Sequence, residues 1–453
     1  MALPKSLVSR EMLSQIPGIK CSRTSILPAN SSGDFTYNPS GNSRVIFQVP
    51  AFENAYMNTQ RSFITFKVKA KGTLAPDVMM TDGAHIFRRM LLKNAKGTVV
   101  EDIDHYGYLC QIKSNMQTKS SLEAKASTHK DLRVMKTDRN LNDTTDYSTE
   151  RTVIHELQSG LLGHEQKFMV PLGAMSAGAG HCFQLELWLS DVKDVFSSSR
   201  GSSATGTLSY DITDVSFDIE LLEVDPTIMG NINSELQDGA SIPLPFKTYR
   251  SHVSQISVGS QATINISESA HDVVAVYTVL KKQDAGNTMK TGMSETSRSD
   301  LLSSPFNFLG GRHTIAADAL TPADVQVTKY SYRYASKYYP LAPVNMDSDS
   351  TLALENLVSG LELFDKMPYL SDTIKVGTEF VSRFETDTFM LAQNFKATND
   401  TITNGLNSSS SGSPITIDLS FKTSVTGVEC MSFVETNNVL YVGKGGQSGL
   451  VVN

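Results

Sequence analysis

Asp214-Val215-Ser216-Phe217-Asp218-Ile219-Glu220-Leu221 alternates polar and apolar residues without a break. Successive side chains on an extended strand point to opposite faces, so Val215, Phe217, Ile219 and Leu221 share one face. Such a strand lies with one side in a core and the other in water. A matching stretch, Ile415-Thr416-Ile417-Asp418-Leu419-Ser420-Phe421, stands near the C-terminus. The two close two β-rich halves of similar size.

Working outward, the same period of two recurs. Val45, Phe47 and Val49 alternate with Ile46 and Gln48 until Pro50 stops the run. Ile64, Phe66 and Val68 alternate with Thr65, Lys67 and Lys69, and Phe183, Leu185, Leu187 and Leu189 with Gln184, Glu186 and the single Trp188. Further strands are expected over residues 85–93, 97–103 and 167–172. In the second half they are expected over 246–258, 274–280, 325–334, 380–384, 390–395, 428–434 and 439–442. Short helices are expected at 106–116 and 350–365, the second with Leu352, Leu354, Leu357, Val358, Leu361 and Leu363 facing the sandwich edge. One helical turn is expected near Ile232 to Leu236. Short, evenly spaced strands numbering near eight per half specify an all-β fold of two tandem antiparallel jelly rolls with long inter-strand loops. The expected division is an arm over 1–24, a first roll over 25–226, a connector over 227–245 and a second roll over 246–453. The chain of 453 residues suits two or three domains at ~100–200 residues each.

Two polar stretches, 117–150 and 281–324, interrupt the strands at what reads as the same relative place in each half. Structureless runs of this length inside a compact domain are usually functional excursions. In the arm, Leu3, Leu7, Met12, Leu13 and Ile16 line a short amphipathic helix ended by Pro17-Gly18. That helix either packs on its own domain or reaches a neighbouring subunit or a membrane surface.

Composition narrows the function. A formal net charge of −7 and no arginine-rich arm leave no basic stripe for nucleic acid, and no sequence-specific nucleic-acid binding is expected. Four widely spaced cysteines, Cys21, Cys110, Cys182 and Cys430, read as small buried thiols rather than a disulfide framework. The residues Met1-Ala2-Leu3-Pro4-Lys5 carry no secretory signal, and no run approaches a membrane span.

No catalytic, cofactor-binding or metal-ligating residue is assigned. His155-Glu156 and His164-Glu165 stand outside any HExxH, and His181-Cys182 would face opposite sides of a strand. The run from Gly443 to Gly449 lacks P-loop and GxGxxG spacing and reads as a flexible tail. Facing carboxylates of a glycosidase are set by the fold, not by spacing, but a single Trp is a poor cleft lining. Tyr330, Tyr332, Tyr334, Tyr338 and Tyr339 form the densest aromatic cluster, read as sheet packing or subunit interface rather than a lectin platform.

Several stretches resemble the double jelly-roll major capsid proteins. That lineage includes tailless membrane-containing bacterial viruses, adenoviruses, virophages and polinton-like viruses. Asp82-Gly83-Ala84-His85-Ile86-Phe87-Arg88-Arg89 with Gly97-Thr98-Val99-Val100-Glu101-Asp102-Ile103 is similar to the early strand pair of the first roll. Thr213 to Asp225 is similar to its closing strand. Tyr332-Arg333-Tyr334-Ala335-Ser336-Lys337-Tyr338-Tyr339-Pro340-Leu341-Ala342-Pro343-Val344 resembles a strand-and-proline segment of the second roll, followed by a helix. The resemblance implies a non-enzymatic subunit without cofactors. It would trimerise into pseudo-hexagonal capsomers that tile an icosahedral shell, and its location would be the virion. Its partners would be itself, neighbouring capsomers, penton and minor capsid proteins, and an internal membrane through the arm. The stretches 117–150 and 281–324 would build the outward tower and the trimer contacts. The alternative reading is a carbohydrate-binding double β-sandwich, with a jelly-roll hydrolase behind it.

Overall fold

The architecture comes from a computed structural model. It describes residues 20–30, 36–71, 78–80, 83–122, 124, 150–175, 180–198, 209–283, 306, 308–312, 325–347, 350–360, 368–376, 379–386, 388–396, 405–409, 412–443 and 448–451. The expected arm helix and most of the two polar stretches lie outside these residues.

The first half contains β1 (Lys20–Ile26), β2 (Arg44–Pro50), β3 (Ala55–Lys71), β4 (Val78–Met80), β5 (Phe87–Asn94), β6 (Val99–Asp104), α1 (Tyr106–Asn115), β7 (Arg151–His155), β8 (His181–Leu189), β9 (Phe196–Ser198) and β10 (Ser209–Glu223). Helix α2 (Pro226–Gln237) leads into the second half. There follow β11 (Ile242–Gln255), β12 (Gly259–Ile266), β13 (Val273–Lys282), β14 (Val327–Tyr334), β15 (Lys337–Asn345) and α3 (Thr351–Gly360). The chain ends with β16 (Thr373–Val376), β17 (Glu379–Ser382), β18 (Leu391–Asn394), β19 (Ile415–Val425), β20 (Val428–Val442) and β21 (Ser448–Val451).

Pairing order identifies the topology. The first half has one sheet in the order β1-β10-β3-β7 and another in the order β2-β8-β5-β6. Setting aside the short β4–β9 pair, these are strands one, eight, three, six and two, seven, four, five of an eight-stranded set. The second half repeats that order as β11-β20-β13-β18 and β12-β19-β14-β15. Each half is a jelly roll, two antiparallel sheets wound from strands that change sheet at almost every connection.

The alternating strands bury the faces that their sequences mark. Val215, Phe217, Ile219 and Leu221 are buried, as are Val45, Phe47 and Val49 on the opposing sheet. Phe217 meets Phe47 across the sandwich at 5.9 Å between centroids, and Phe66 meets Phe87 edge-on at 5.4 Å. In the second roll Tyr332 Oη donates to Thr278 Oγ1 across the core at 3.0 Å. Tyr330 and Tyr334 are buried with it.

Other expectations need correction. Lys20–Ile26, which includes the end of the segment read as an arm, is an edge strand paired with β10. Residues 167–172 make only isolated bridges, Val170 to Met57 among them, before a 3-10 turn at Leu172–Ala174. The single helical turn near Ile232 is the three-turn α2, with Pro226 at its first position and Asp225 Oδ1 accepting from Thr227 N at 2.8 Å. The strand expected from Phe246 begins at Ile242. The two strands expected over 428–442 are one, and part of the expected flexible tail is β21, paired with Val439 to Val442. In α3, Ala353 and Leu357 are buried, but Leu352 is 55% exposed; Leu361 and Leu363 lie outside the described residues.

The two polar stretches also differ in topological position. Residues 117–150 join the fifth strand of the first roll to its sixth, whereas 281–324 join the third strand of the second roll to its fourth. The counterpart of the first stretch is the segment between β15 and β18, which carries α3 and the β16–β17 hairpin. Because neighbouring strands alternate in direction, connections three-to-four and five-to-six leave the same end of a roll.

Candidate functional site

The two rolls meet along a seam with a charged centre. β6 packs beside β11, although the two belong to different sheets. Ser159, Gly160 and Leu161 form the turn that follows β7, and Glu101 on β6 holds it. The Glu101 carboxylate accepts from the Ser159 hydroxyl, from Gly160 N at 2.8 Å and from Leu161 N at 3.3 Å. Gly160 lies so close to the Lys247 backbone of β11 that an added Cβ would fall 1.4 Å from its carbonyl oxygen. Gln166 Nε2 donates to the Pro245 carbonyl at 3.2 Å, a further link across the seam.

Deeper in, Lys113 of α1 enters the second roll. Its ammonium lies 4.7 Å from the Tyr249 ring centre and 5.4 Å from that of Tyr277. It is 3.2 Å from Glu165 and 3.7 Å from Glu435 of β20. Glu435 is 1% exposed, and it also takes Lys247 Nζ at 2.5 Å and Tyr277 Oη at 2.6 Å. Burial alone would raise the Glu435 carboxyl; Lys113, Lys247 and the two hydrogen bonds reverse this and hold it at about 2. Glu101 has no cation beside it, so burial dominates its three donors and pushes it up to about 7.

The ends of the rolls are tied as well. Phe306 stacks on His85 at 3.4 Å and leans on Tyr108 at 4.6 Å. Tyr369 N donates to the Gln117 carbonyl at 2.6 Å, and Lys119 lies 3.3 Å from Asp372. Phe306 comes from the three-to-four connection of the second roll, and Tyr369 and Asp372 from its five-to-six connection. Their partners lie in the same connections of the first roll. The rolls therefore stand side by side in the same sense, with their long connections at one end and α2 at the other.

A cleft of about 540 Å³ opens on this seam, with Arg89, Asp104, Tyr108 and Trp188 on one wall and Val253, Lys281 and Glu429 on the other. Two of its cations are held by carboxylates. Arg89 makes a two-pronged contact with Asp102 at 2.8 and 2.7 Å, and Lys281 is 3.2 Å from Glu429 and donates to Tyr108 Oη at 3.3 Å. Among the described residues, nucleophile, base and oxyanion donors do not converge there.

The residues weighed from the sequence are scattered. His155 is buried against Tyr106 Oη at 2.8 Å, and His164 Nδ1 meets the Gln60 carbonyl at 3.1 Å. Cys182 is buried, its thiol raised to about 12 by desolvation. Among the described residues, no three His, Cys, Asp or Glu side chains form a group that could hold a metal ion. The buried tyrosines offer no exposed platform. The seam itself carries no motif: Lys113, Glu165, Lys247 and Glu435 are dispersed along the chain, and an acidic residue within the apolar β20 is the one local hint.

No family model and no curated protein sequence matches the chain. Solved structures do match in shape. A PBCV-1 capsid protein, VP54, fitted into a reconstruction of the virophage Sputnik, is 14% identical with a TM-score of 0.59, covering 97% of this chain and 98% of that one. The Sputnik virophage structure is 8% identical with a TM-score of 0.55, covering 96% and 88%. The Faustovirus major capsid protein is 10% identical with a TM-score of 0.53, covering 94% and 90%. The chain has the double jelly-roll fold of these capsid structures.

Proposed function

We propose that the protein is a major capsid protein, three copies of which form a capsomer of hexagonal outline that tiles an icosahedral virus shell. The observation that carries this reading is the exact-order repeat of one jelly roll, twice, in the same sense within one chain. Three such chains supply six similar corners around a ring, the outline needed to pave a facet, and head-to-tail contacts that close make a ring rather than a fibre. The fold shared with capsid proteins over nearly the whole chain supports it. The reading is of a structural building block, as the capsid structures that share the fold are. The partners are other copies, neighbouring capsomers, and penton and minor capsid proteins, and the location is the virion.

Light scattering on the purified protein tests this. The expected mass is about 148 kDa, three chains of 49.4 kDa. A mass that stays at one chain as concentration rises would overturn it.

A further inference from the structure

The turn that docks on the second roll hangs on one buried acid. Glu101 is 1% exposed. It lies on β6, the outer strand of its sheet; β5 pairs with one edge of that strand and β11 packs beside it. Its three donors, the Ser159 hydroxyl, Gly160 N and Leu161 N, all belong to the turn whose Gly160 presses on the Lys247 backbone. The acid and the docking contact are therefore one unit.

The charged groups around that unit are committed elsewhere. On β11 and α1, Lys247 and Lys113 turn their ammonium groups to Glu435. Tyr106 of α1 has its Oη on Gln158 N and His155, and His164 meets the Gln60 carbonyl. On β6 itself, Asp102 is held by Arg89, and Asp104 accepts from His105 N. Among the described residues no cation is paired with Glu101. The neutral acid suits the turn. A proton on Oε2 can go to Ser159 Oγ, which accepts from Leu162 N at 2.9 Å and has a second lone pair, while Gly160 N still reaches Oε1. Ionised, Glu101 keeps its donors but has no countercharge, and burial of an unpaired charge outweighs them. Water reaches the carboxylate by lifting the turn and β11 away from β6.

We propose that Glu101 is a pH-sensitive latch between the two rolls: its ionisation as pH rises releases the 159–161 turn from β11 and parts the rolls along the seam, each roll staying folded. This concerns a single chain and stands apart from the capsomer reading.

Hydrogen exchange of the full-length protein between about pH 5.5 and 8, corrected for the intrinsic rate at each pH, tests it. Protection at Gly160 and Leu161 is expected to fall on the order of tenfold or more. Phe217 and Phe433, buried in the two cores, keep theirs. Glu101→Gln, which keeps an acceptor and cannot ionise, shows no fall. A loss in step at all four positions would mean unfolding rather than undocking, and unchanged protection would mean that the latch stays shut; either overturns the proposal. A fall that persists in Glu101→Gln assigns the effect to another group, such as His155, and overturns it too. Trp188, the single tryptophan, lines the cleft on the seam and gives a readout in the wild type. Its quenching by acrylamide is expected to rise over the same pH range, and constant quenching overturns the opening.

Discussion

Glu101 and Glu435 are both buried carboxylates at the seam, and they respond to pH in opposite directions. Glu435 sits at about 2 in the fold against an ordinary 4.5, so its contribution is present above about pH 4.5 and lost as pH falls toward 2. Glu101 sits at about 7 against the same 4.5. The folded protein therefore binds its proton more tightly than the unfolded chain does. The stability it contributes is complete below pH 4.5 and is lost as pH rises through about 7. Glu101→Gln keeps an acceptor for the turn at Ser159 and removes the titration. Urea unfolding between pH 4.5 and 7 is expected to show wild-type stability falling relative to the variant by on the order of 3 kcal/mol. Parallel pH curves for the two proteins would contradict this.

At the scale of elements, Gly160 controls how closely the turn after β7 approaches β11. A methyl group there would meet the Lys247 backbone, which cannot swing aside as a side chain can. Gly160→Ala is expected to leave each roll folded and to loosen their docking. Calorimetry would then show one unfolding transition of the wild type becoming two, and a single unshifted transition would contradict this. The same elements show what a sequence window reveals. The alternations at Val215 to Leu221 and Leu185 to Leu189 mark their strands because burial on one face is written into every second residue. Glu435-Thr436-Asn437-Asn438 reads as a break, yet it lies within β20. Its polar groups are satisfied by distant partners: Glu435 by Lys113 and Lys247, and Asn437 by Asp272 at 2.9 Å. β21 escapes notice for a related reason, since its place is an edge of β20 left open beyond the start of β13. The seam was illegible because its ion pairs join residues far apart in the chain.

At the scale of the whole molecule, the repeated strand order and the shared sense of the two rolls suit the proposed capsomer, in which each chain would supply two corners of a ring. The connections that carry 117–150 and 281–324 leave one end of the molecule, and α2 lies at the other. Negative-stain imaging of the purified protein tests this account most directly. Class averages with a hexagonal outline and threefold symmetry are the expected result. Two-lobed single chains at every concentration would contradict it.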